Sequence, residues 1–491
     1  MKKAKNFTKI LFKGTVAVSI ANAGSQLVGL ILLPVFTKYL SPEEFGVISL
    51  VSLIVTFLAL VYNPGMMSAT MRLYHSTEDE NDRRELIGSA HRFFLFIPIV
   101  PVIIGLIWGE YIFSIVFNDF KFYPYGFLSL LLAFFIQPSR MWTTLMTLLY
   151  KIEKTAFLTA LSIVLGLISA TVLIVVFEMG AMGRVLAMFV PAFFLYIISL
   201  IEIKKYSQNI WSYHSIKKQL LFGFPLIIAL WAYQGLNFIG KYMLEILSTL
   251  ENVGLYSIGY TLSILPMFLV IGFKQLWSSV FYENMNNKTF DLIIKLIKNF
   301  NALITLLCLL FVLFSKELII LFIDESFHSV IPIVGLLVLA SFFNGLLTIS
   351  NSFLSYNNKF SKISLFAAIA TIINIILNLF LIPSSGILGA SISLAISYFI
   401  FYMLSVISER KQLKNFQSKK TALVPILAML VGVISNFLLD KFLFENYLSI
   451  LELFLKLLYF LVIIYVFFKI KLIQKSDFLY IINLLKKKII K

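Results

Sequence analysis

Apolar runs of roughly 20 residues recur along almost the whole chain, each closed by a short polar or basic stretch. The polar positions inside these runs fall at helical rather than alternating spacing, so the pattern predicts helices and no sheet. The expected membrane-spanning segments are about 14–36, 45–74, 93–117, 125–150, 156–177, 183–203, 220–240, 253–273 (extending inward to 282), 302–323, 330–354, 363–383, 388–408, 422–439 and 448–468. The fold class is therefore all-α, a polytopic membrane protein of about 14 transmembrane helices. After Lys469 the chain alternates Lys with Ile, Leu and Phe, the pattern of an amphipathic helix resting on an anionic membrane surface.

Within this pattern the stretch 374–398 stands out. An apolar helix carrying Asn374 and Asn378 runs to Pro383, turns through Ser384-Ser385-Gly386 and re-enters an apolar helix at Gly389-Ala390. Proline cannot continue a helix and glycine accepts the backbone angles of a tight reversal. Gly389, Ser393 and Ser397 then form a small-residue seam for close helix packing.

The halves of the chain match in order. Leu40-Ser41, Glu44 and Gly46 have counterparts in Leu247-Ser248, Glu251 and Gly254; Tyr150 has one in Tyr356; Gly180 and Gly183 match Gly386 and Gly389. Six spans separate the copies, so both run in the same direction. This predicts two parallel six-helix repeats, 1–219 and 220–421, with a cavity at their interface, followed by two extra helices and a basic tail in 422–491.

Composition agrees with the pattern: 60% hydrophobic, 13% charged and a mean hydropathy of +0.93 over 491 residues. The net charge of +17 is not the mark of a nucleic-acid partner. With the amino terminus inside, most of the 41 Lys and Arg fall in loops and termini on that same side. That asymmetry orients a membrane protein, and it puts both termini in the cytoplasm. Ala21-Asn22-Ala23 resembles a signal-peptide cleavage site, but the apolar run continues to Phe36, which suits an uncleaved first span. The single cysteine, Cys308, permits no internal disulfide, and the four histidines lack metal-ligand spacing, so neither a metal nor a cofactor is expected.

The Asn-rich helix, Leu-Ile-Pro, glycine and Gly-Ala of 374–390 resemble the signature of bacterial polysaccharide (O-antigen and capsule type) flippases. That family belongs to the superfamily that also holds multidrug extrusion pumps and lipid II flippases. Leu40-Ser41-Pro42-Glu43-Glu44-Phe45-Gly46, Phe222-Gly223-Phe224-Pro225 and Glu251-Asn252-Val253-Gly254-Leu255-Tyr256 resemble the same family, as does the span count. One departure is Gly240-Lys241, where family members often carry an Asp-Arg pair. The resemblance implies a non-enzymatic flippase in the plasma (inner) membrane of a bacterium. Its cargo would be a polyprenyl-pyrophosphate-linked oligosaccharide, moved from the inner to the outer leaflet by alternating access through a cationic cavity. Anionic membrane lipids are expected partners, and a polysaccharide polymerase and a chain-length regulator are further candidates.

Ionisable groups inside a bilayer are expensive, so each is a candidate for function. Arg140 lies mid-span directly after Gln137-Pro138-Ser139, with no acid three or four residues away. Its alternative role is an ion pair with a neighbouring helix. Arg72 follows Asn63-Pro64-Gly65 and is either a cavity residue or an interfacial anchor. Lys241 and Lys274, near the mouths of their spans, line the same path or snorkel to the head groups. Asn22 and Gln26 in the first span, with Gln234 and Asn237 in the seventh, suit hydrogen bonding to a sugar or to each other's helices. Lys456 has Glu452 one turn before it, the spacing of an ion pair. No buried Asp or Glu is expected in the cavity-forming helices, which favours an anionic cargo over a cation. The alternatives are a lipid II flippase, then a cation-coupled drug antiporter; a polymerase lacks the large outer loop it would need.

Overall fold

The computed structural model describes residues 32–208, 211–442 and 450–472. Among them the chain is helical throughout and contains no strand. Among the described residues nine helices are long and apolar enough to cross a membrane, or ten if Leu250–Ser263 and Met267–Lys274, bent by 52°, form one broken span. The segment Phe360–Ser408 holds both arms of the expected hairpin, merged across a kink at Gly386 with φ 52°. Helix therefore continues through Pro383 and breaks three residues later than its proline suggests.

Two compact units divide the chain, one ending at Ser257 and the other starting at Ile258. The first contains α1 (Leu33–Tyr39), α2 (Pro42–Val61), α3 (Met66–Ser76), α4 (Glu80–Phe96), α5 (Ile99–Val116), α6 (Phe127–Leu148), α7 (Ile152–Thr171), α8 (Gly180–Ile203), α9 (Tyr213–Leu247) and the first turns of α10 (Leu250–Ser263). The second continues with α11 (Met267–Asn286), α12 (Phe290–Phe322), α13 (Ile331–Tyr356), α14 (Phe360–Ser408), α15 (Arg410–Phe416), α16 (Lys419–Phe442) and α17 (Ile450–Lys469).

The Ser41–Gly46 motif has a structural explanation. Ser41 Oγ accepts from the Glu44 N–H at 3.2 Å while Glu44 Oε2 accepts from the Ser41 N–H at 2.9 Å, a reciprocal cap on α2. The other oxygen, Glu44 Oε1, accepts from the Ala181 N–H at 2.9 Å, at the start of α8. One carboxylate thus satisfies amides at two helix N-termini. At Gly180, with φ 55°, a Cβ would lie only 2.0 Å from Glu44 Oε1, so the glycine is needed for both its angle and its space.

Gly46 and Gly254 mark a crossing of α2 and α10 at backbone distance. A Cβ on Gly46 would sit 2.0 Å from the Leu250 carbonyl oxygen, and one on Gly254 would sit 1.8 Å from that of Pro42. One turn further along, Ser257 Oγ donates to Ser49 Oγ at 2.6 Å. Matching positions of the two sequence copies therefore meet one another. Gly254→Ala should cost about 1–3 kcal/mol through overpacking against an immovable carbonyl. The readout is the apparent melting temperature of the purified protein; a value equal to wild type would mean the helices do not cross here.

The backbone also corrects one repeat match. Tyr150 (φ 56°) ends α6 with the Lys151 N–H donating to Met146 O at 2.8 Å; Asn358 (φ 56°) ends α13 with Lys359 N–H donating to Leu354 O at 2.8 Å. The equivalent of Tyr150 is thus Asn358, two residues beyond Tyr356. By the same register Arg140 corresponds to Thr348. From there to Gly180 and Gly386 the first copy is about two residues longer than the second, and a π turn at Val172–Val176 takes up part of that length.

The second unit's hairpin seam matches expectation. Asn378 Nδ2 donates to Asn374 Oδ1 at 3.0 Å, and both side chains are fully buried. Ser393 and Ser397 are buried and return their hydroxyls to the carbonyls of Gly389 and Ser393. A Cβ on Gly389 would lie 2.2 Å from Leu381 O, so the two arms pack backbone against backbone.

Lys456 does pair with Glu452, at 2.6 Å, within a larger cluster. Lys456 also reaches Glu317 Oε1 at 2.8 Å, and Lys316 reaches Glu452 Oε2 at 3.1 Å. Two lysines and two glutamates, all buried, tie α17 to α12 with no formal net charge. Each charge has an opposite charge beside it, the condition for burying ions at all.

Candidate functional site

α6 is the helix of the first unit with the most unusual chemistry. It packs on α2, α3, α4, α5 and α8, and its buried residues include Leu130, Ala133, Met141, Trp142 and Leu145. Pro138 sits inside it and supplies no N–H, so the ladder is interrupted at mid-span. Beyond that break, hydroxyls bond back to the helix. Ser139 donates to Ile136 O at 2.6 Å, Thr143 and Thr144 donate to Arg140 O at 2.7 and 2.9 Å, and Thr147 donates to Thr143 O at 2.8 Å.

Arg140, Thr143, Thr144 and Thr147 share one helical face. Arg140 and Thr147 are exposed and the other two are half-buried. The result is a polar, accessible stripe on an otherwise apolar span, headed by a guanidinium with five donors. Among the described residues Arg140 forms no ion pair, so the neighbouring-acid explanation for it finds no support there. One turn earlier, Gln137 is fully buried and neither atom of its amide has a hydrogen-bond partner among the described residues. Such an orphaned amide is costly in an apolar setting.

The other expected residues among those described lie on other helices. Arg72, exposed on α3, lies over the Phe222 ring of α9 with its guanidinium carbon 4.9 Å from the ring centre. That contact is supported by close packing. Gly65 and Gly223 oppose each other, a Cβ on Gly65 falling 2.2 Å from Gly223 O, and Thr70 donates to Gln219 Oε1 at 2.6 Å. Asn237 Nδ2 donates to Gln234 Oε1 at 3.2 Å, so these two amides are already partly engaged with each other. Trp231, 43% exposed, stands against Phe57 of α2 with ring centres 6.0 Å apart. Lys241 is half-buried on α9, and Lys274 is exposed on α11 of the second unit. Asn22 and Gln26 lie outside the described residues.

Sequence reasoning overlooked Arg184. It is half-buried on α8, with its guanidinium carbon 5.7 Å from the Phe36 ring centre, and it forms no ion pair among the described residues. The available signal was its position directly after Gly183, where the second copy carries Ala390.

The expectation about buried acids needs correction. Glu245 is fully buried at the end of α9, where its Oε1 accepts from the N–H groups of Asn118, Asp119 and Phe120 at 2.8, 2.9 and 3.2 Å. Glu317 is buried within α12. Buried carboxylates are therefore present, but each is engaged, Glu245 by backbone amides and Glu317 by Lys456.

Residues 11–276 match the family described as polysaccharide biosynthesis protein, more than half of the chain. The chain belongs to the polysaccharide biosynthesis protein family. No curated protein matches it in sequence. Among solved structures, this family member is similar to the lipid II flippase MurJ in an inward closed conformation, with a TM-score of 0.71 at 17% identity over 92% of this chain and 99% of that one. It is also similar to a multidrug resistance MATE transporter of the MOP superfamily in an inward-facing conformation: TM-score 0.62, 15% identity, 80% of this chain and 96% of that one. A third is a MOP superfamily transporter from Pyrococcus furiosus described by the reverse polarity of its binding pocket, with a TM-score of 0.56, 15% identity, and 82% and 96% coverage. At these identities the likeness concerns the fold alone.

Proposed function

We propose that this polysaccharide biosynthesis family member is a flippase for polyprenyl-pyrophosphate-linked oligosaccharide, acting in the plasma membrane of a bacterium with both termini in the cytoplasm. The observation that carries the reading is Arg140: an accessible guanidinium at mid-span, without an acidic partner among the described residues, heading a stripe of threonines. A diphosphate has the geometry that a guanidinium fork recognises bidentately. The threonine hydroxyls suit the first sugar, while the polyprenyl tail stays in the bilayer and the head group gains alternating access to the two sides.

The direction follows from the membrane potential. With the inside negative, outward movement of an anion is favoured by about 2.3 kcal/mol per charge at ~100 mV, hence roughly 4–5 kcal/mol for a doubly charged diphosphate. The buried acids described above are engaged by amides or lysines, which favours an anionic cargo over a drug cation. The test is translocation in proteoliposomes. A fluorescent polyprenyl-diphosphate disaccharide should move between leaflets at least tenfold faster with protein than without. Lipid II and a lipophilic cation serve as parallel cargoes. Faster movement of lipid II than of the disaccharide lipid would reassign the cargo, and transport of the cation alone would refute the proposal.

A further inference from the structure

We infer that the second unit carries a binding site for the phosphate head group of an anionic glycerophospholipid, at the membrane boundary where α12, α16 and α17 converge. A cavity of about 320 Å³ there is lined by Ile294, Ile297 and Lys298 of α12, Phe416, Ser418 and Thr421 around the start of α16, and Ile470 and Lys471 at the end of α17. Two ammonium groups and two hydroxyls thus stand over an apolar floor. Lys298 lies one turn before Ala302, where the apolar run of α12 begins, and Lys471 directly follows the apolar α17. The cavity therefore opens at head-group depth. Clustered Lys and Arg in a pocket between spans is the pattern that binds anionic lipid head groups.

The walls are fixed before any ligand arrives. Ser418 Oγ accepts from the Thr421 N–H at 3.2 Å, Thr421 Oγ1 donates to Ser418 O at 2.9 Å, and Gln417 Nε2 donates to Thr421 O at 3.2 Å. Phe416 is held edge-on by Phe290, with ring centres 5.2 Å apart. Below, Ala302, Phe467 and Leu472 form a small buried cluster with Leu306, Val424, Ile463 and Ile470 packed around it. Lys419 and Lys420, next to Ser418 in sequence, are exposed and outside the lining of the cavity.

Directly deeper on the same two helices lies a second crevice of about 220 Å³. It is lined by Val424, Leu427, Ala428, Val431, Tyr459 and Ile463. Val424 is one turn below Thr421, and Ile463 is two turns below Ile470. A polar, doubly cationic pocket above an apolar crevice is complementary to a phosphodiester joined to an acyl chain. A free phosphate would use only the upper half.

The experiment uses the full-length protein in nanodiscs of zwitterionic lipid doped with phosphatidylglycerol, with bound lipid counted by native mass spectrometry. Lys298→Gln/Lys471→Gln should lower phosphatidylglycerol retention at least tenfold. Lys419→Gln/Lys420→Gln removes the same charge outside the cavity and should change retention less than twofold. Lys298→Arg/Lys471→Arg should retain binding, which separates loss of the site from loss of fold. Equal losses in the two glutamine doubles, or no loss in the first, would overturn the proposal. Glycerol phosphate in millimolar amounts should not displace the lipid; displacement abolished by Lys298→Gln/Lys471→Gln would make the ligand a soluble phosphate. Displacement by equimolar polyprenyl diphosphate would make the cavity part of the cargo path and refute the phospholipid assignment.

Discussion

Lys456→Met is expected to destabilise the protein by about 3–5 kcal/mol, the usual cost of removing one partner from a buried ion pair. Lys456 is fully buried and contacts Glu452 at 2.6 Å and Glu317 at 2.8 Å, so its loss takes the lysine from Glu317 and leaves Glu452 with Lys316. Methionine keeps most of the volume of the stem, so packing contributes little to the change. The measurement is the unfolding midpoint in mixed micelles on titration with a denaturing detergent. Lys456→Met/Glu317→Gln leaves the Lys316–Glu452 pair in place and should recover most of the loss, because charge-neutral replacements of buried pairs are often close to neutral. A single variant losing under about 1 kcal/mol, or a double variant no better than the single, would mean the four charges are not mutually compensated in the folded protein.

The second large effect concerns Arg140→Ala. Its side chain is accessible and forms no ion pair among the described residues, so the unfolding midpoint should stay within about 1 kcal/mol of wild type. Transport should fall much further. Losing a charge-assisted contact to the cargo diphosphate removes about 1.5–3 kcal/mol, or roughly a 10–150-fold lower rate. Arg140→Lys should fall between, since it keeps the charge but loses the planar fork. The readout is surface polysaccharide per correctly inserted molecule in cells lacking the native copy, together with accumulation of the lipid-linked intermediate. Normal export by Arg140→Ala at normal membrane levels would remove Arg140 from the cargo path.

How far the sequence could be read depended on where the signal resided. The membrane class followed from apolar run lengths, and the repeat from glycines whose role is set by backbone proximity at Gly46 and Gly254 and by a left-handed angle at Gly180 and Gly386. Lys456 with Glu452 was legible because both partners lie on one helix, one turn apart. The other half of that cluster was not. Lys316 and Glu317 are adjacent near a span end and look like interfacial charges until α17 returns more than a hundred residues later. Glu245 was opaque for a different reason, since its partners are three backbone amides, which any sequence supplies. Tyr150 was aligned with Tyr356 by side-chain identity, whereas the turn is defined by the left-handed angle that Tyr150 shares with Asn358. Arg140 was found because a charge after a proline at mid-span breaks two local rules at once. Gln137 beside it broke none, and only its burial reveals it.

The crossing at Gly46 and Gly254 has a mechanical consequence. Helices normally lock by seating the ridges of one in the grooves of the other, and turning such a pair means lifting side chains out of their holes. At this crossing no side chain stands between the two backbones, and Ser257 donating to Ser49 one turn away supplies a tether. Separation of the helices loses contact and that hydrogen bond, whereas a small swivel about the point of touch meets no ridge. The crossing can therefore serve as a fulcrum, stiff against parting and compliant to rotation, about which α2 and α10 tilt without unzipping.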